Sequence, residues 1–295
     1  MPTDHDATHP PKNRYANAPM RADWTIDQDW SSYSAAEHDR WKRLSARQLA
    51  LLPGRACDDY LAALEKLQLS QSGVPDFAEL SARLAPLTGW SVVAVAGLVP
   101  DDVFFDHLAE RRFPAGAFIR PEAELDYLEE PDVFHDVFGH VPLLADPIYA
   151  RFLQAYGEGG RRALARGQLA ELARLYWYTV EFGLVSTPAG LRIFGAGILS
   201  SPAESVFALE DTSPNRIRFD LERVMRTRYI IDDFQQSYFV VDSFQSLLDA
   251  CYQDFGPIYD RLTAQSTLEP HEIAPGDRIV ARGDFHYFRA KANAA

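Results

Sequence analysis

Apolar residues recur every three or four positions over most of the chain between residues 31 and 265, a spacing that predicts amphipathic helices. Ser34 followed by Glu37 forms a capping box, and the helix that it starts should end near Pro53-Gly54. The further predicted helices cover residues 57–69, 76–88, 101–112, 147–166, 168–183, a stretch that begins at Ser201-Pro202, and residues 242–263.

Short extended stretches separate these helices, at residues 91–96, 113–120, 191–197, 228–231 and 238–241. The predicted fold class is therefore mostly α, with minor short β-strands, in a single domain over residues 31–265. Residues 1–30 lack periodicity and predict a loose N-terminal arm, and residues 266–295 form a C-terminal tail of mixed pattern. The motif GEGGRR at 157–162 lacks the Lys-Ser/Thr of a P-loop and is interpreted as a helix interruption without a nucleotide role.

The charge and the cysteines narrow the possible functions. The chain has 42 acidic and 29 basic residues and a formal charge of −13, which disfavours nucleic acid and anionic membrane as partners. Cys57 and Cys251 lie far apart and form no CxxC motif, which favours a reducing compartment. No signal peptide and no apolar run long enough for a membrane span are present, so we expect a soluble cytoplasmic protein.

Two histidines stand in the apolar segment EEPDVFHDVFGHVPLL, residues 129–144. His135 and His140 are five residues apart, which in a regular α-helix means a rotation of about 140°. Both rings can reach one ion only if His135 lies at a helix start, near Pro131-Asp132, or if the helix distorts near Gly139. The alternative, that each histidine has a local core or capping role, is equally compatible with this spacing alone.

Glu181 lies in the most apolar part of the predicted helix RLYWYTVEFGL, residues 174–184. A buried carboxylate without a partner costs several kcal/mol or becomes protonated. A divalent cation removes this cost, although an arginine from elsewhere in the fold would also do so. Two histidines and one carboxylate are the facial triad of non-haem Fe(II) oxygenases, but a catalytic zinc accepts the same ligands.

Two carboxylates are candidates for supporting these ligands. Asp132 lies three residues before His135 and could accept the second ring N–H of that histidine, or could cap the helix instead. Glu204 and Ser200 are polar groups in the loop GAGILSSPAES, where the capping box begun by Ser201 already explains Glu204 in part.

The motifs PDVFHDVFGHVPLL, LYWYTVEFGL and FGAGILSS, in this order, resemble those of the pterin-dependent aromatic amino acid hydroxylases, and above all the bacterial members of that family. The resemblance extends from about residue 23 to residue 263. It implies that iron is bound by His135, His140 and Glu181. It further implies that a tetrahydropterin contacts Leu98, Val99, Phe104, Asp136 and Tyr176. The implied substrate-binding residues are Arg120, which would bind the substrate carboxylate, Tyr127, Trp177 as an aromatic wall, and Ser200.

The resemblance implies an enzyme that converts L-phenylalanine to L-tyrosine with O2, Fe(II) and a tetrahydropterin. Because the tail lacks a long heptad pattern, we expect a monomer. Four alternatives stay open: tyrosine or tryptophan as the substrate, a zinc hydrolase with Asp136 as its base, a 2-oxoglutarate oxygenase, and an inactive binder of amino acids or pterins. Leu128 stands where some relatives have a threonine that contacts the substrate.

Overall fold

The computed structural model describes residues 13–69, 73–126 and 130–294. Within these residues helices predominate, as the periodicity predicts. The first six α-helices are α1 (Ala35–Leu51), α2 (Asp58–Lys66), α3 (Phe77–Thr88), α4 (Asp101–Ala109), α5 (Pro147–Arg166) and α6 (Leu169–Tyr176). The other six are α7 (Ala196–Leu199), α8 (Pro202–Glu210), α9 (Leu221–Arg226), α10 (Phe244–Cys251), α11 (Gly256–Thr263) and α12 (His286–Ala294). None of these described helices has the length and apolar character that crossing a bilayer would require.

The strands are short and form two sheets. Strands β1 (Ser91–Val95) and β2 (Arg112–Gly116) form a parallel pair. The second sheet contains β3 (Leu184–Thr187), β4 (Gly190–Ile193), β5 (Asn215–Arg218), β6 (Ser237–Val241) and β7 (Ile279–Ala281), in the order β4-β3-β6-β5-β7. In it, β6 is parallel to both neighbours, and the outer strands β4 and β7 are antiparallel to theirs. The prediction of a mostly helical fold with minor strands is confirmed.

The predicted helix starts are present as hydrogen-bonded caps. The Ser34 side chain accepts from the Glu37 N–H, and the Glu37 carboxylate accepts from the Ser34 N–H at 2.7 Å. At the start of α8, the Ser201 hydroxyl accepts from the Glu204 N–H at 3.3 Å. These bonds satisfy N–H groups that a helix leaves without partners in its first turn.

Several element bounds differ from the prediction. The helix predicted over 242–263 is divided into α10 and α11, because Pro257 lacks an N–H and begins a new helix after a break at residues 252–255. Residues 228–231 are not a strand, and only the preceding Thr227 forms an isolated bridge, with Leu268. The predicted extended stretch 113–120 is a strand only as far as Gly116.

The prediction of a loose N-terminal arm is wrong for residues 13–30, the part that the structure describes. Tyr15 and Ile26 are buried in the core, and the Ile26 N–H donates to the Ala94 carbonyl at 2.9 Å. In the tail, β7 pairs with β5, and α12 packs its aromatic rings on Phe207. The division of the chain at residues 30 and 265 stays a prediction.

The interpretation of GEGGRR as a helix interruption is also wrong, because α5 runs unbroken from Pro147 to Arg166. The glycines permit close packing of α5 against α4 instead. A Cβ on Gly157 would lie 2.5 Å from the Ala109 nitrogen, and one on Gly160 would lie 2.0 Å from the Phe105 ring. Both distances are shorter than any real carbon contact allows, so these positions require glycine.

We therefore expect Gly160→Ala to lower the free energy of unfolding by about 1–3 kcal/mol, because the added methyl overpacks the α4–α5 contact. The matched control is Gly159→Ala on the same helix, where the nearest atom to a new Cβ is 3.9 Å away. That change should be neutral or stabilise by up to about 1 kcal/mol, since alanine favours helix. Urea unfolding measures both, and equal effects would contradict the packing argument.

Candidate metal centre and active site

His135 and His140 belong to a π-helical segment, Phe134–His140. In a π-helix the hydrogen bonds span five residues, so side chains five positions apart lie much closer to one face than they do in an α-helix. This is the helix distortion that a shared ion requires at this spacing. Gly139 lies against α7, where a Cβ would be 2.9 Å from the Ala196 carbonyl oxygen.

Glu181 ends a second π-helical segment, Trp177–Glu181, which continues directly from α6. The chain then turns into β3, whose Leu184 pairs with Val240 of β6 in the centre of the larger sheet. Glu181 is thereby placed between a rigid helix and a sheet, opposite the histidine segment.

The three side chains converge on one point. His140 Nε2 lies 3.1 Å from Glu181 Oε1 and 3.2 Å from His135 Nε2, and His135 Nε2 lies 3.6 Å from Glu181 Oε2. Imidazole lone pairs directed at each other and at a carboxylate repel unless a cation lies among them. All three ligand atoms lie within 4.8 Å of one another, which fits one divalent metal ion.

Without a cation, the surroundings change the pKa of each of the three groups, and those of His135 and Glu181 change in the direction that favours metal binding. Burial lowers the pKa of His135 to about 4, so this ring is neutral and can act as a ligand at neutral pH. Burial opposes the charge of His140, but the Glu181 carboxylate outweighs that effect and raises the pKa of His140. Burial likewise opposes ionisation of Glu181, but the two histidines outweigh it and lower the pKa of this carboxyl.

Ser200 determines which nitrogen of His135 carries the proton. The Ser200 hydroxyl donates to the Ala196 carbonyl at 2.8 Å, and its oxygen lies 2.9 Å from His135 Nδ1. Since the hydroxyl has one hydrogen, its oxygen accepts from the Nδ1–H of His135. The lone pair of His135 is then on Nε2, which faces Glu181 and His140.

Asp132 takes one of the two roles that its spacing allows. Its carboxylate accepts from the backbone N–H of His135 at 3.0 Å, which is the capping alternative, while Ser200 takes the ring N–H. The same carboxylate accepts from Arg120 Nε at 2.9 Å and Nη2 at 2.8 Å. Asp132 is fully buried, so Arg120 neutralises a charge that would otherwise be costly there.

A cavity of about 230 Å³ opens beside the three candidate ligands. Its wall contains His135, His140 and Glu181 together with all five residues predicted for the pterin: Leu98, Val99, Phe104, Asp136 and Tyr176. Gly97, Asp101 and Pro131 also line it and were not predicted. The predicted substrate residues Arg120, Trp177 and Ser200 lie outside this wall, and Tyr127 and Leu128 lie outside the described residues.

Within this wall, Phe104 and Tyr176 form an edge-to-face pair with ring centroids 5.7 Å apart, and Tyr176 stacks near His140 at 6.2 Å. Asp136 accepts from the Gly116 N–H at 2.7 Å. Burial raises the pKa of Asp136 to about 7. The cavity therefore combines aromatic faces with one carboxyl group, which suits a flat polar heterocycle.

Glu204 supports a different part of the site. Its carboxyl group accepts from the Tyr238 hydroxyl and from the backbone N–H of Gln235. The amide oxygen of Gln235 in turn accepts from the indole N–H of Trp177 at 2.9 Å. Gln235 lies far in sequence from the motifs that contain the candidate ligands, and nothing in its local pattern indicated a role in the site.

Comparison with known proteins finds similarity over most of the chain. The family model of biopterin-dependent aromatic amino acid hydroxylases matches residues 14–259. The phenylalanine-4-hydroxylase of Caulobacter vibrioides is 65% identical over 270 residues, which cover 92% of each protein. The phenylalanine-4-hydroxylase of Chromobacterium violaceum is 55% identical over 262 residues, or 89% of this chain and 88% of that protein.

A solved structure of the Chromobacterium violaceum phenylalanine hydroxylase, bound to cobalt, is also similar. It superposes with a TM-score of 0.87 at 54% identity, over 89% of this chain and 95% of the solved chain.

We expect Ser200→Ala to weaken metal binding by about 10- to 100-fold, because it removes the acceptor that orients the His135 ring. The control is Ser205→Ala, which removes a buried hydroxyl bonded only to backbone carbonyls nearby. Titration of the metal-free protein with Fe(II) under anaerobic conditions measures both affinities. An unchanged affinity in Ser200→Ala would contradict the tautomer argument.

Glu204 gives a prediction of pH dependence. Burial raises its pKa from 4.5 to about 7. The folded state therefore binds the Glu204 proton more tightly than the unfolded state does. The stability that this proton contributes is fully present below pH 4.5 and is lost as the pH rises through 7. Glu204→Gln should remove this loss, so that its stability relative to the parent, measured by urea unfolding, improves as the pH rises from 4.5 to about 7. Glu210→Gln, at the exposed end of α8, should show no such trend.

Proposed function

Since the chain belongs to the biopterin-dependent aromatic amino acid hydroxylases, we propose that it hydroxylates L-phenylalanine to L-tyrosine with O2, Fe(II) and a tetrahydropterin. The observation that carries this proposal is the cavity in which the two histidines and Glu181 converge beside the predicted pterin residues. Relatives that are 55% and 65% identical over nine-tenths of the chain are phenylalanine-4-hydroxylases, which supports phenylalanine as the substrate.

In this proposal His135, His140 and Glu181 hold the iron. Bound Fe(II) and tetrahydropterin together would activate dioxygen for insertion into the ring. The three side chains lie together in the wall of the cavity, so an ion that they held would have positions open toward the cavity. Ser200 keeps the His135 lone pair directed at the ion, and the apolar surroundings of the π-helical segment exclude water from the reacting groups.

The pterin would occupy the 230 Å³ cavity. Phe104 and Tyr176 offer aromatic surfaces to the pterin ring, and Leu98 and Val99 line the cavity where the resemblance implies that their backbone would contact the ring edge. Asp136 is a carboxyl group with a pKa raised to about 7 by burial, so it can hold a proton facing a polar ring edge near neutral pH.

Arg120, Trp177, Tyr127 and Ser200 are proposed to orient the amino acid. Asp132 holds the Arg120 guanidinium through two hydrogen bonds, so the group is oriented before the substrate arrives. An arginine fixed in this way can pair with a carboxylate at little further cost in side-chain entropy. Trp177 would provide an aromatic surface for the substrate ring.

The other candidate functions have less support. The histidines and Glu181 lie on helical segments, whereas 2-oxoglutarate oxygenases carry their ligands on the strands of a jelly roll. Tyrosine or tryptophan as an alternative substrate would use the same centre, and a zinc hydrolase would use the same three ligands. Only activity measurements separate these from the proposed reaction.

The test is an assay of the iron-loaded protein with a tetrahydropterin and each of the three aromatic amino acids. We expect tyrosine to form from phenylalanine, with O2 consumption coupled to pterin oxidation. Glu181→Gln should lose both iron and tyrosine formation, because the amide supplies no negative charge to the ion. Hydrolytic activity without O2 uptake, or preferential turnover of tryptophan, would contradict the proposed reaction.

We also propose that the protein is a monomer in the cytoplasm. The apolar face of α12 is used within the chain, against Phe207 and Phe234, which disfavours its use as an oligomerisation helix. Cys57 and Cys251 are buried free thiols, as is compatible with a reducing compartment. Sedimentation equilibrium at micromolar concentration should give one species of 33.2 kDa, and a stable dimer or tetramer would contradict this prediction.

A further inference from the structure

Trp177, the proposed aromatic wall for the substrate, is itself held from three sides. Its indole N–H donates to the amide oxygen of Gln235 at 2.9 Å. The ring of Tyr229 stacks on it at 4.2 Å with an interplanar angle of 14°, and Phe182 packs against it at 4.8 Å. Two of these three residues, Tyr229 and Gln235, lie on the irregular segment 228–236, which we name the support loop.

Gln235 is fixed as firmly as a side chain in a core. It is 1% exposed, and its amide nitrogen donates to the Ile230 carbonyl at 2.9 Å. Its backbone N–H donates to Glu204. The support loop itself is less well protected, since Ile231 at its tip is 73% exposed. The position of Gln235, and with it that of the indole, therefore depends on what anchors the loop.

The C-terminal tail anchors the support loop at both ends. At the start of the loop, the Arg228 N–H donates to the Leu268 carbonyl at 2.9 Å. Toward its end, Asp233 accepts from the Tyr287 hydroxyl and from the Lys291 ammonium of α12, each at 2.9 Å. Next to it, Phe234 lies 5.2 Å from the Tyr287 ring.

The helix α12 is in turn fixed to the body of the domain. The Tyr287 N–H donates to the Ser213 hydroxyl at 2.9 Å, and Phe288 packs edge-on against Phe207 at 6.0 Å. Before the helix, Gly283 approaches the Ser213 carbonyl so closely that a Cβ would lie 2.2 Å from that oxygen. The contacts thus form a continuous path from α12 through Asp233 and Gln235 to the indole of Trp177.

We propose that α12 is a positioning element of the active site, which sets the affinity for the aromatic substrate by holding the support loop and hence Trp177. This inference rests on the proposed function, because it takes Trp177 as the substrate wall. The tail beyond residue 259 lies outside the part of the chain that the family model matches.

The test uses the full chain, loaded with iron, and the double variant Tyr287→Phe/Lys291→Met. This variant removes both donors that α12 provides to Asp233 but keeps the aromatic packing of the helix. We expect the backbone amides of residues 228–236 to exchange hydrogen at least about threefold faster, since the loop opens locally more often. We further expect the KM for phenylalanine to rise about threefold or more, while the KM for the pterin and kcat change by less than about twofold.

Three further variants make the result specific. Arg289→Met removes one cation from an exposed position of the same helix and should change neither exchange nor KM. Lys291→Arg keeps the ion pair with Asp233 and should behave as the parent does. Gln235→Met removes the acceptor for the indole N–H at constant size, and it should raise the KM for phenylalanine without faster exchange in α12.

The outcomes separate this inference from the proposed function. Unchanged exchange in the double variant, or faster exchange with an unchanged KM for phenylalanine, would overturn the role of α12. A rise in KM in the double variant but not in Gln235→Met would overturn the path through Gln235. If the parent protein forms no tyrosine at all, the proposed function fails, while hydrogen exchange still reports whether α12 holds the loop.

Discussion

The structure depends on the convergence of two imidazoles and a carboxylate on one point in an apolar interior. With His140 Nε2 only 3.1 Å from Glu181 and 3.2 Å from His135, the protein holds groups together that repel in the absence of a cation. Rigid surroundings are required to keep them there. The two π-helical segments supply this rigidity, because both are continuous with buried helical structure.

The larger sheet links this centre to parts of the chain that are remote in sequence. Glu181 leads into β3, which pairs with β6, and β6 follows the support loop that holds Trp177. Strand β5 then joins β6 to β7 of the tail. The candidate metal centre, Trp177 and the C-terminal segment are therefore all attached to one hydrogen-bonded sheet, which explains why short strands matter in a mostly helical protein.

The candidate metal centre could be predicted from the sequence because the burial of ionisable groups costs free energy. His135, His140 and Glu181 stand in apolar segments, and such groups require a partner. The partners of Asp132 were predicted only in part: its spacing allowed the cap on the His135 N–H that is present, but Arg120, which also binds the carboxylate, comes from another segment. Local patterns did not predict β5 and β7, because the pairing of these strands depends on tertiary contacts. They also did not show that the glycines of α5 permit close helix packing and do not interrupt the helix.

Gly139 illustrates how a catalytic arrangement can depend on an absent atom. Because it has no side chain, the histidine segment can approach the Ala196 carbonyl closely. The oxygen of this carbonyl also accepts the hydrogen bond that the Ser200 hydroxyl donates. Any larger residue would push that carbonyl away, and Ser200 would be free to turn its hydrogen toward His135 instead. The imidazole would then lose its preferred tautomer. Gly139 thus helps to decide which ring nitrogen of His135 carries the proton, although it acts only through Ala196 and Ser200.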